Sequence, residues 1–307
     1  FWSIQAKYRS DENKSLGRKE LSTFTELSFF HCKNIDLALI ATPAESISYK
    51  FGKFKKYKNK ISSLKHEVWS GLDQVFFNRL HQFIKKQEVV ICPNEKREHQ
   101  INAIADAYDH FHKKKKTRGK VIMPCGTGKT LTAYWLADKL KAKNIVVAVP
   151  SLNLIRQCLR TWAIESTADK KKVNWIAVCS DKKVKDLNKD DFQVLVRDLG
   201  IRAHTDIGEI TDWLKRKKTG RNIVFTTYDS GPNLAKASKK AKFKFDVGIF
   251  DEAHRTAGAT DSQSSTLLFD KNINISKRVF LTATERKYRG QSDEIICMDD
   301  TDIYGER

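Results

Sequence analysis

None of the six cysteines (Cys32, Cys92, Cys125, Cys158, Cys179, Cys297) forms a C-x-x-C pair, which excludes a zinc ribbon and leaves no pattern for a disulfide framework. A reduced, cytoplasmic setting is expected. No apolar run approaches the ~20 residues of a membrane span, and the start has no charged segment followed by an apolar one. The expectation is a soluble chain with no export signal and no membrane partner. There is no initiator methionine either. Phe1-Trp2-Ser3-Ile4-Gln5-Ala6-Lys7-Tyr8 reads as a strand already under way, so the chain is expected to begin inside a domain. Acidic residues are few, 37 against 57 lysines and arginines, which leaves a formal charge of +20. An excess of that size attracts polyanions. The lysines also cluster, in KFKKYKNK (53–60), HKKKKTRGK (112–120) and LKRKKTGR (214–221). Nucleic acid is the expected partner, with a solvated basic face as the alternative.

With 307 residues, 40% of them apolar and six of them tryptophan, the chain can build about two globular domains, at roughly 100–200 residues each. From Arg97 onward amphipathic helices alternate with short apolar strands, the pattern that buries a parallel sheet between helix layers. Strands are predicted at 120–123, 144–149, 174–179, 221–226, 245–251 and 277–283. Helices are predicted near 97–112, 129–142, 152–165, 205–217, 231–240 and 263–270. In such doubly wound sheets ligands bind at the carboxyl ends of the strands. Residues 1–90 read as a separate α/β unit: a strand (2–7), a helix (18–30), a strand (35–41), a lysine-rich stretch, and a helix (72–86) with Val75, Phe76, Leu80 and Phe83 on one face. The domains are accordingly placed at 1–93 and 94–307.

The chemistry begins at Met123-Pro124-Cys125-Gly126-Thr127-Gly128-Lys129-Thr130, which follows a strand and opens a helix. Glycines there let backbone N–H groups face phosphate oxygens, and the helix N-terminus adds partial positive charge. Lys129 then reaches the β- and γ-phosphates of ATP, and the Thr130 hydroxyl holds Mg2+. Met123 stands where the general pattern has glycine. Further on, the apolar run 245–250 ends in Asp251-Glu252-Ala253-His254. Two carboxylates at the sheet edge beside a phosphate loop suit phosphoryl transfer, with Asp251 as metal anchor and Glu252 orienting the attacking water. Alone, an Asp-Glu pair is more often a solvated helix start.

These motifs in this order resemble the DEAH-type branch of superfamily 2 helicases and translocases. The resemblance implies a RecA-like doubly wound α/β lobe with ATP and Mg2+ as cofactors, the first of two lobes. It makes Lys129, Asp251, Glu252 and His254 catalytic. Pro124, Cys125, Gly126, Thr127, Gly128, Lys129 and Thr130 bind nucleotide, and Thr130 and Asp251 bind metal. Gln100 resembles the glutamine that reads adenine. Pro150 and Ser151 resemble motif Ia, and Thr226 and Thr227 motif Ic, which contact the nucleic-acid backbone. Thr282 and Thr284 resemble motif III, which couples nucleotide state to grip.

Ahead of this lobe, Gln5 and Lys7 resemble the Q-x-K variant of the Mrr-like, restriction-endonuclease-like α/β fold, whose usual upstream aspartate lies outside the chain. A nuclease half-site followed by a DEAH motor resembles the single-chain type ISP restriction-modification enzymes. The expected whole is therefore a fragment: a partial nuclease domain and a motor lobe acting on DNA, double-stranded and gripped by its backbone, with a second RecA-like lobe and further domains as partners. A DEAH-type RNA helicase lobe and a non-hydrolysing nucleic-acid-binding switch remain the alternatives.

Overall fold

The computed structural model describes residues 2–8, 10–11, 13–32, 35, 37–48, 61–85, 87, 91–179, 203–259, 262–286 and 295–307. The lysine-rich stretch 53–60 lies outside them. The chain divides into two compact units, one built on residues 1–90 and the other on residues 91–187 and 204–307.

In the first unit, β1 (Trp2–Ala6), β2 (Leu16–Gly17), α1 (Arg18–Glu26), β3 (Leu37–Ala41), β4 (Ile47–Ser48), β5 (Ile61–Leu64), α2 (His66–Trp69) and α3 (Gln74–Ile84) follow in order. β1, β3 and β5 make a three-stranded sheet with both pairings parallel. The predicted strands and helices are present; α1 continues into a π-helical turn, Leu27–His31, and the helix predicted at 72–86 is α3. Strand β5 was not anticipated, because Ile-Ser-Ser-Leu carries too few apolar residues to stand out. A small core of Leu16, Leu21, Phe24, Ala38, Ile40, Ala44 and Ile61 holds the unit together. α3 is capped by the Asp73 carboxylate, which accepts from the Phe76 N–H at 2.8 Å. Its apolar side chains Val75, Phe76, Leu80 and Phe83 are nonetheless exposed.

The second unit is the doubly wound lobe that the alternation predicts. It runs α4 (Glu98–Tyr108), β6 (Arg118–Ile122), α5 (Lys129–Lys139), β7 (Asn144–Val149), α6 (Leu152–Ala168), β8 (Val173–Val178), β9 (Ala203–His204), α7 (Ile207–Lys215), β10 (Arg221–Thr227), α8 (Gly231–Ala241), β11 (Phe245–Phe250), β12 (Gly258–Ala259), β13 (Ile275–Thr282), β14 (Ile295–Ile296) and α9 (Thr301–Tyr304). The seven-stranded sheet has the order β6-β13-β11-β7-β10-β8-β9, and the pairings from β6 to β8 are all parallel. Central strands read as continuous apolar runs because both faces are covered. Asn-Ile-Val-Val-Ala-Val of β7 is buried from Ile145 onward. Helix starts follow their caps: Ser151 for α6 and Asp206 for α7 each accept a backbone N–H of the first turn.

Two predicted helices change character. The one at 97–112 turns π-helical over Asp109–Lys113, and that at 263–270 is a six-residue 3-10 segment, Gln263–Leu268. The terminal residues complete the lobe. Met298 and Tyr304 are fully buried, and the Lys120 N–H donates to the Glu306 carbonyl at 2.8 Å, covering the edge of β6. Gly305, at φ +75, permits this approach: a Cβ there would stand 2.2 Å from the Arg118 carbonyl oxygen.

Candidate nucleotide and nucleic-acid site

Strand order decides what meets what. β13 lies between β6 and β11, so three loops leave the carboxyl edge side by side, about 4.8 Å apart per strand. The phosphate loop leaves β6, the Thr282–Thr284 turn leaves β13, and Asp251–His254 leaves β11.

The loop after β6 is shaped by two left-handed glycines, Gly126 at φ +77 and Gly128 at φ +84. No acceptor among the described residues takes the N–H groups of Gly126, Thr127 and Gly128, and a Cβ on Gly126 would meet nothing within 4 Å. Free N–H groups at a helix start with open space before them fit a polyphosphate. Met123, where the general pattern has glycine, is buried, and its N–H donates to the Thr282 carbonyl at 3.0 Å. Its side chain therefore turns away from the loop and leaves the cradle intact.

Lys129 is buried, and its Nζ sits 3.4 Å from Glu252 Oε1. Asp251 is buried as well. Burial, and then the neighbouring Glu252 charge, push its carboxyl up to about 6, against the pull of the Glu252 N–H and Lys129. A carboxyl destabilised as an anion in this way is short of positive charge and suits a divalent cation, which the Thr130 hydroxyl at the start of α5, phosphate and water would further ligate. Glu252 itself takes φ +50, ψ +48, a left-handed geometry uncommon outside glycine and asparagine.

His254 joins the loop after β11 to the turn after β13. Its Nδ1 is 3.1 Å from Thr282 Oγ1 and 3.4 Å from Glu252 Oε2. The Thr282 hydroxyl also donates to the Thr284 carbonyl at 2.7 Å. Burial, outweighing the Glu252 charge, lowers the imidazole below its ordinary value. Glu252 and Thr282 thus share one ring, and a shift of either is felt by the other.

Gln100 has a place that spacing could not reveal. It is buried; its Oε1 accepts from the Arg97 N–H at 2.9 Å, and its Nε2 donates to the carbonyls of Thr127 and Gly128 at 3.1 and 3.4 Å. In this structure the amide is spent on the phosphate loop, which it holds from behind together with His99.

Pro150 and Ser151 sit at the carboxyl end of β7, Ser151 exposed and capping α6. Thr226 and Thr227 end β10 but are buried. The Thr226 hydroxyl donates to Val178 O at 3.0 Å and the Thr227 hydroxyl to Ser230 Oγ at 3.1 Å. Three further residues carried no signal in the sequence. Trp162, on α6, is fully buried and donates its indole N–H to the Thr130 carbonyl at 3.1 Å. Its ring packs edge-on to Phe225 of β10, so one side chain spans the helix behind Ser151, the strand behind Thr227 and the residue assigned to Mg2+. Cys158, also on α6, is pushed up by burial and by the Asp251 charge. Tyr228 donates to the Asp251 carbonyl at 2.6 Å.

In the first unit Gln5 and Lys7 occupy alternate positions, as a strand requires of residues on one face. The Gln5 amide donates to the Ala6 carbonyl at 3.0 Å, and the Lys7 N–H to the Ala41 carbonyl at 2.9 Å. Among the described residues no carboxylate pairs with either.

Residues 94–287, more than half of the chain, match the family described as "Type III restriction enzyme, res subunit". A probable helicase of African swine fever virus (isolate Tick/Malawi/Lil 20-1/1983) is 27% identical over 188 residues, 61% of this chain and 19% of that protein. Among solved structures, "ATP-dependent Type ISP restriction-modification enzyme LlaBIII bound to DNA" is similar over 99% of this chain and 20% of its own, with TM-score 0.74 and 26% identity. A nuclease-deletion mutant of the Type ISP enzyme LlaGI, in complex with a DNA substrate mimic, is similar over 69% of this chain and 19% of its own, with TM-score 0.54 and 29% identity. The chain spans about a fifth of the length of these relatives.

Proposed function

The chain belongs to the family of Type III restriction enzyme res subunits, and we propose that residues 94–307 are the first lobe of an ATP-dependent DNA translocase, with residues 1–93 the end of a nuclease domain. The observation that carries the motor reading is the three-loop edge: a cradle of unaccepted N–H groups, Lys129 at its end, and Glu252 3.4 Å from that lysine.

ATP lies with its phosphates on the N–H groups of residues 125–130 and on Lys129. When bound, Mg2+ supplies charge neutralisation of the β- and γ-phosphates, held by the Thr130 hydroxyl and Asp251. Lys129 then exchanges its contact with Glu252 for phosphate, and Glu252 is released to orient water against the γ-phosphorus. His254 carries the resulting shift of Glu252 to Thr282 and Thr284. Pro150, Ser151, Thr226 and Thr227 grip the DNA backbone at the same edge. For the two buried threonines this requires the ends of β10 and β7 to adjust on binding. Gln100 contributes by holding the loop, and any contact with adenine would be made after it turns. The DNA named in the two type ISP structures supports DNA as the track. Gln5 and Lys7 supply no anionic metal ligand, so residues 1–307 alone are expected not to cut DNA.

The test is steady-state ATP hydrolysis by the protein with duplex DNA, single-stranded DNA or RNA. In the complete protein duplex DNA is expected to stimulate most, and Glu252→Gln to abolish turnover while leaving ATP–Mg2+ binding intact; residues 1–307 alone are expected to turn ATP over slowly with little stimulation by DNA, because the arginine finger would come from the second lobe. Turnover unchanged in Glu252→Gln would overturn the assignment; strongest stimulation by RNA would move the lobe to the RNA helicases.

A further inference from the structure

In a parallel sheet every strand starts at one edge, and here that edge is lined with lysine. The strand starts of β6, β13, β11, β7, β10 and β8 stand in that order across the sheet. Exposed lysines precede each of them: 113–116 before β6, 271 before β13, 242 and 244 before β11, 141 and 143 before β7, 215 and 217 before β10, 170 and 172 before β8. Two of the lysine clusters visible in the sequence, 112–120 and 214–221, therefore fall at the edge opposite the nucleotide loops, away from Ser151 and Thr227.

The backbone gives a second, independent sign. Lys115, Lys141, Lys170 and Lys242 have φ of 54, 54, 53 and 50, the left-handed geometry at a helix end where glycine is the usual residue. Around Lys141, Lys170 and Lys242 the chain closes with the same pair of backbone bonds: Lys141 N–H to Asp138 O with Ala142 N–H to Ala137 O, Lys170 N–H to Thr167 O with Lys171 N–H to Ser166 O, and Lys242 N–H to Lys239 O with Phe243 N–H to Ser238 O. At the same edge Gly220, φ +92, shows what forces glycine: a Cβ there would lie 2.2 Å from the Lys172 carbonyl oxygen. Where space is open, this chain keeps a lysine in a conformation that its side chain disfavours. Repeated four times along one edge, that is a retained charge.

We propose that the amino edge of this sheet is a second, sequence-independent binding surface for the phosphate backbone of duplex DNA, separate from the grip at the nucleotide edge. Five strand spacings make a row of about 24 Å, roughly two-thirds of a duplex turn. Several carboxylates of this edge are already engaged: Asp138 and Asp169 by Lys171, Asp246 by the N–H groups of Lys143 and Asn144, Asp270 by Arg118 and Arg278. Among the described residues of this unit the exposed large apolar side chains are Ile101, Ile164 and Ile295, none of which precedes a strand of the sheet, so among them the row lacks the apolar centre of a protein–protein interface. Compact ammonium groups suit phosphates and read no bases.

The test is the quadruple variant Lys115→Gly, Lys141→Gly, Lys170→Gly, Lys242→Gly in the complete protein, bound to a 20-base-pair duplex across a salt series without nucleotide. The expected result is a log–log salt slope reduced by about 3 to 4, since each lost phosphate contact removes about 0.9, with ATP affinity unchanged and thermal stability not lowered. Should that variant unfold, the same four changes to Asn, which tolerates this backbone, give the readout. An unchanged slope overturns the proposal. So does a variant set that loses binding to poly-L-glutamate but keeps the duplex, which would assign the row to an acidic protein. Neither outcome touches the Glu252→Gln result, so failure here and failure of the motor reading are told apart.

Discussion

At the carboxyl edge of the motor sheet the left-handed backbone is taken by Gly126 and Gly128, and at the amino edge by Lys115, Lys141, Lys170 and Lys242 as well as by Gly220, where a Cβ would strike the Lys172 carbonyl oxygen. Glu252, also at the carboxyl edge, has the same geometry. The contrast separates two uses of one conformation. Where the backbone N–H must face the ligand, a side chain would only obstruct, and glycine is there. Where the side chain is itself the instrument, a carboxylate over the phosphates or an ammonium in a basic row, it is kept at a cost that glycine would avoid.

The largest effect expected from breaking this contrast is at the carboxyl edge. Lys129→Ala removes a buried charge from the phosphates and should weaken ATP binding by about 2–4 kcal/mol, read by titration with a fluorescent nucleotide. Unchanged affinity would remove the loop from nucleotide binding. Near the amino edge the dominant side chain is Arg278, which is fully buried and donates to the carbonyls of Leu267, Ile273 and Ile275 at 3.1 Å each. Arg278→Met leaves those acceptors without a donor and should cost about 3 kcal/mol of stability, at roughly 1–3 for each buried group left unsatisfied. Its partner Asp270 is 71% exposed, so Asp270→Asn should cost less than about 1 kcal/mol. Partial burial raises the Asp270 carboxyl, but Arg278 and Arg118 together outweigh it and hold it below the usual carboxylate value. The contribution is therefore full above about pH 4 and is lost as pH falls below it. Melting of wild type and Asp270→Asn at pH 7 and pH 3 checks the sign: the difference between them should close at the lower pH.

Smaller effects sharpen the comparison of left-handed positions. Gly128→Ala adds a Cβ 2.4 Å from Gln100 Nε2. Because that atom ends a flexible side chain, the expected loss is mainly the left-handed penalty, about 1–2 kcal/mol, with weaker nucleotide binding as Gln100 is displaced from the loop. Lys141→Gly should leave stability unchanged or raised by up to about 1 kcal/mol, relieving strain while loosening the unfolded chain. Glu252→Gly should behave like Lys141→Gly in melting and unlike it in ATP turnover. A clear loss of stability in both would mean that these side chains are held for packing rather than for charge.

The predicted strands of the motor lobe, from Ile122 to Thr282, were legible because a sheet buried on both faces demands continuous apolar runs, and β7, β10, β11 and β13 have them. Gly-Thr-Gly-Lys-Thr and Asp-Glu-Ala-His were legible because phosphate and metal chemistry restricts both residue type and local spacing. The first unit was harder to read: β5 has two serines in four residues, and α3 shows an amphipathic pattern whose apolar face stays exposed. Trp162, Cys158 and Tyr228 looked like ordinary core residues, since no local pattern tells a packing tryptophan from one that also holds the Thr130 carbonyl. Gln100 lies with its amide turned onto the loop at Thr127 and Gly128, a contact no local pattern reveals.

By itself, then, the sequence determined the class of the lobe, the order of its motifs and the glycine-loop and carboxylate residues proposed for the site, all of which are local in the chain. Tertiary structure alone decided the adjacency of β6, β13 and β11, the His254–Thr282 contact between residues 28 apart in sequence, and which edge each lysine cluster occupies. Strand order and edge depend on how helices cross over the sheet, and those crossovers are set by long-range packing that no short window of sequence contains.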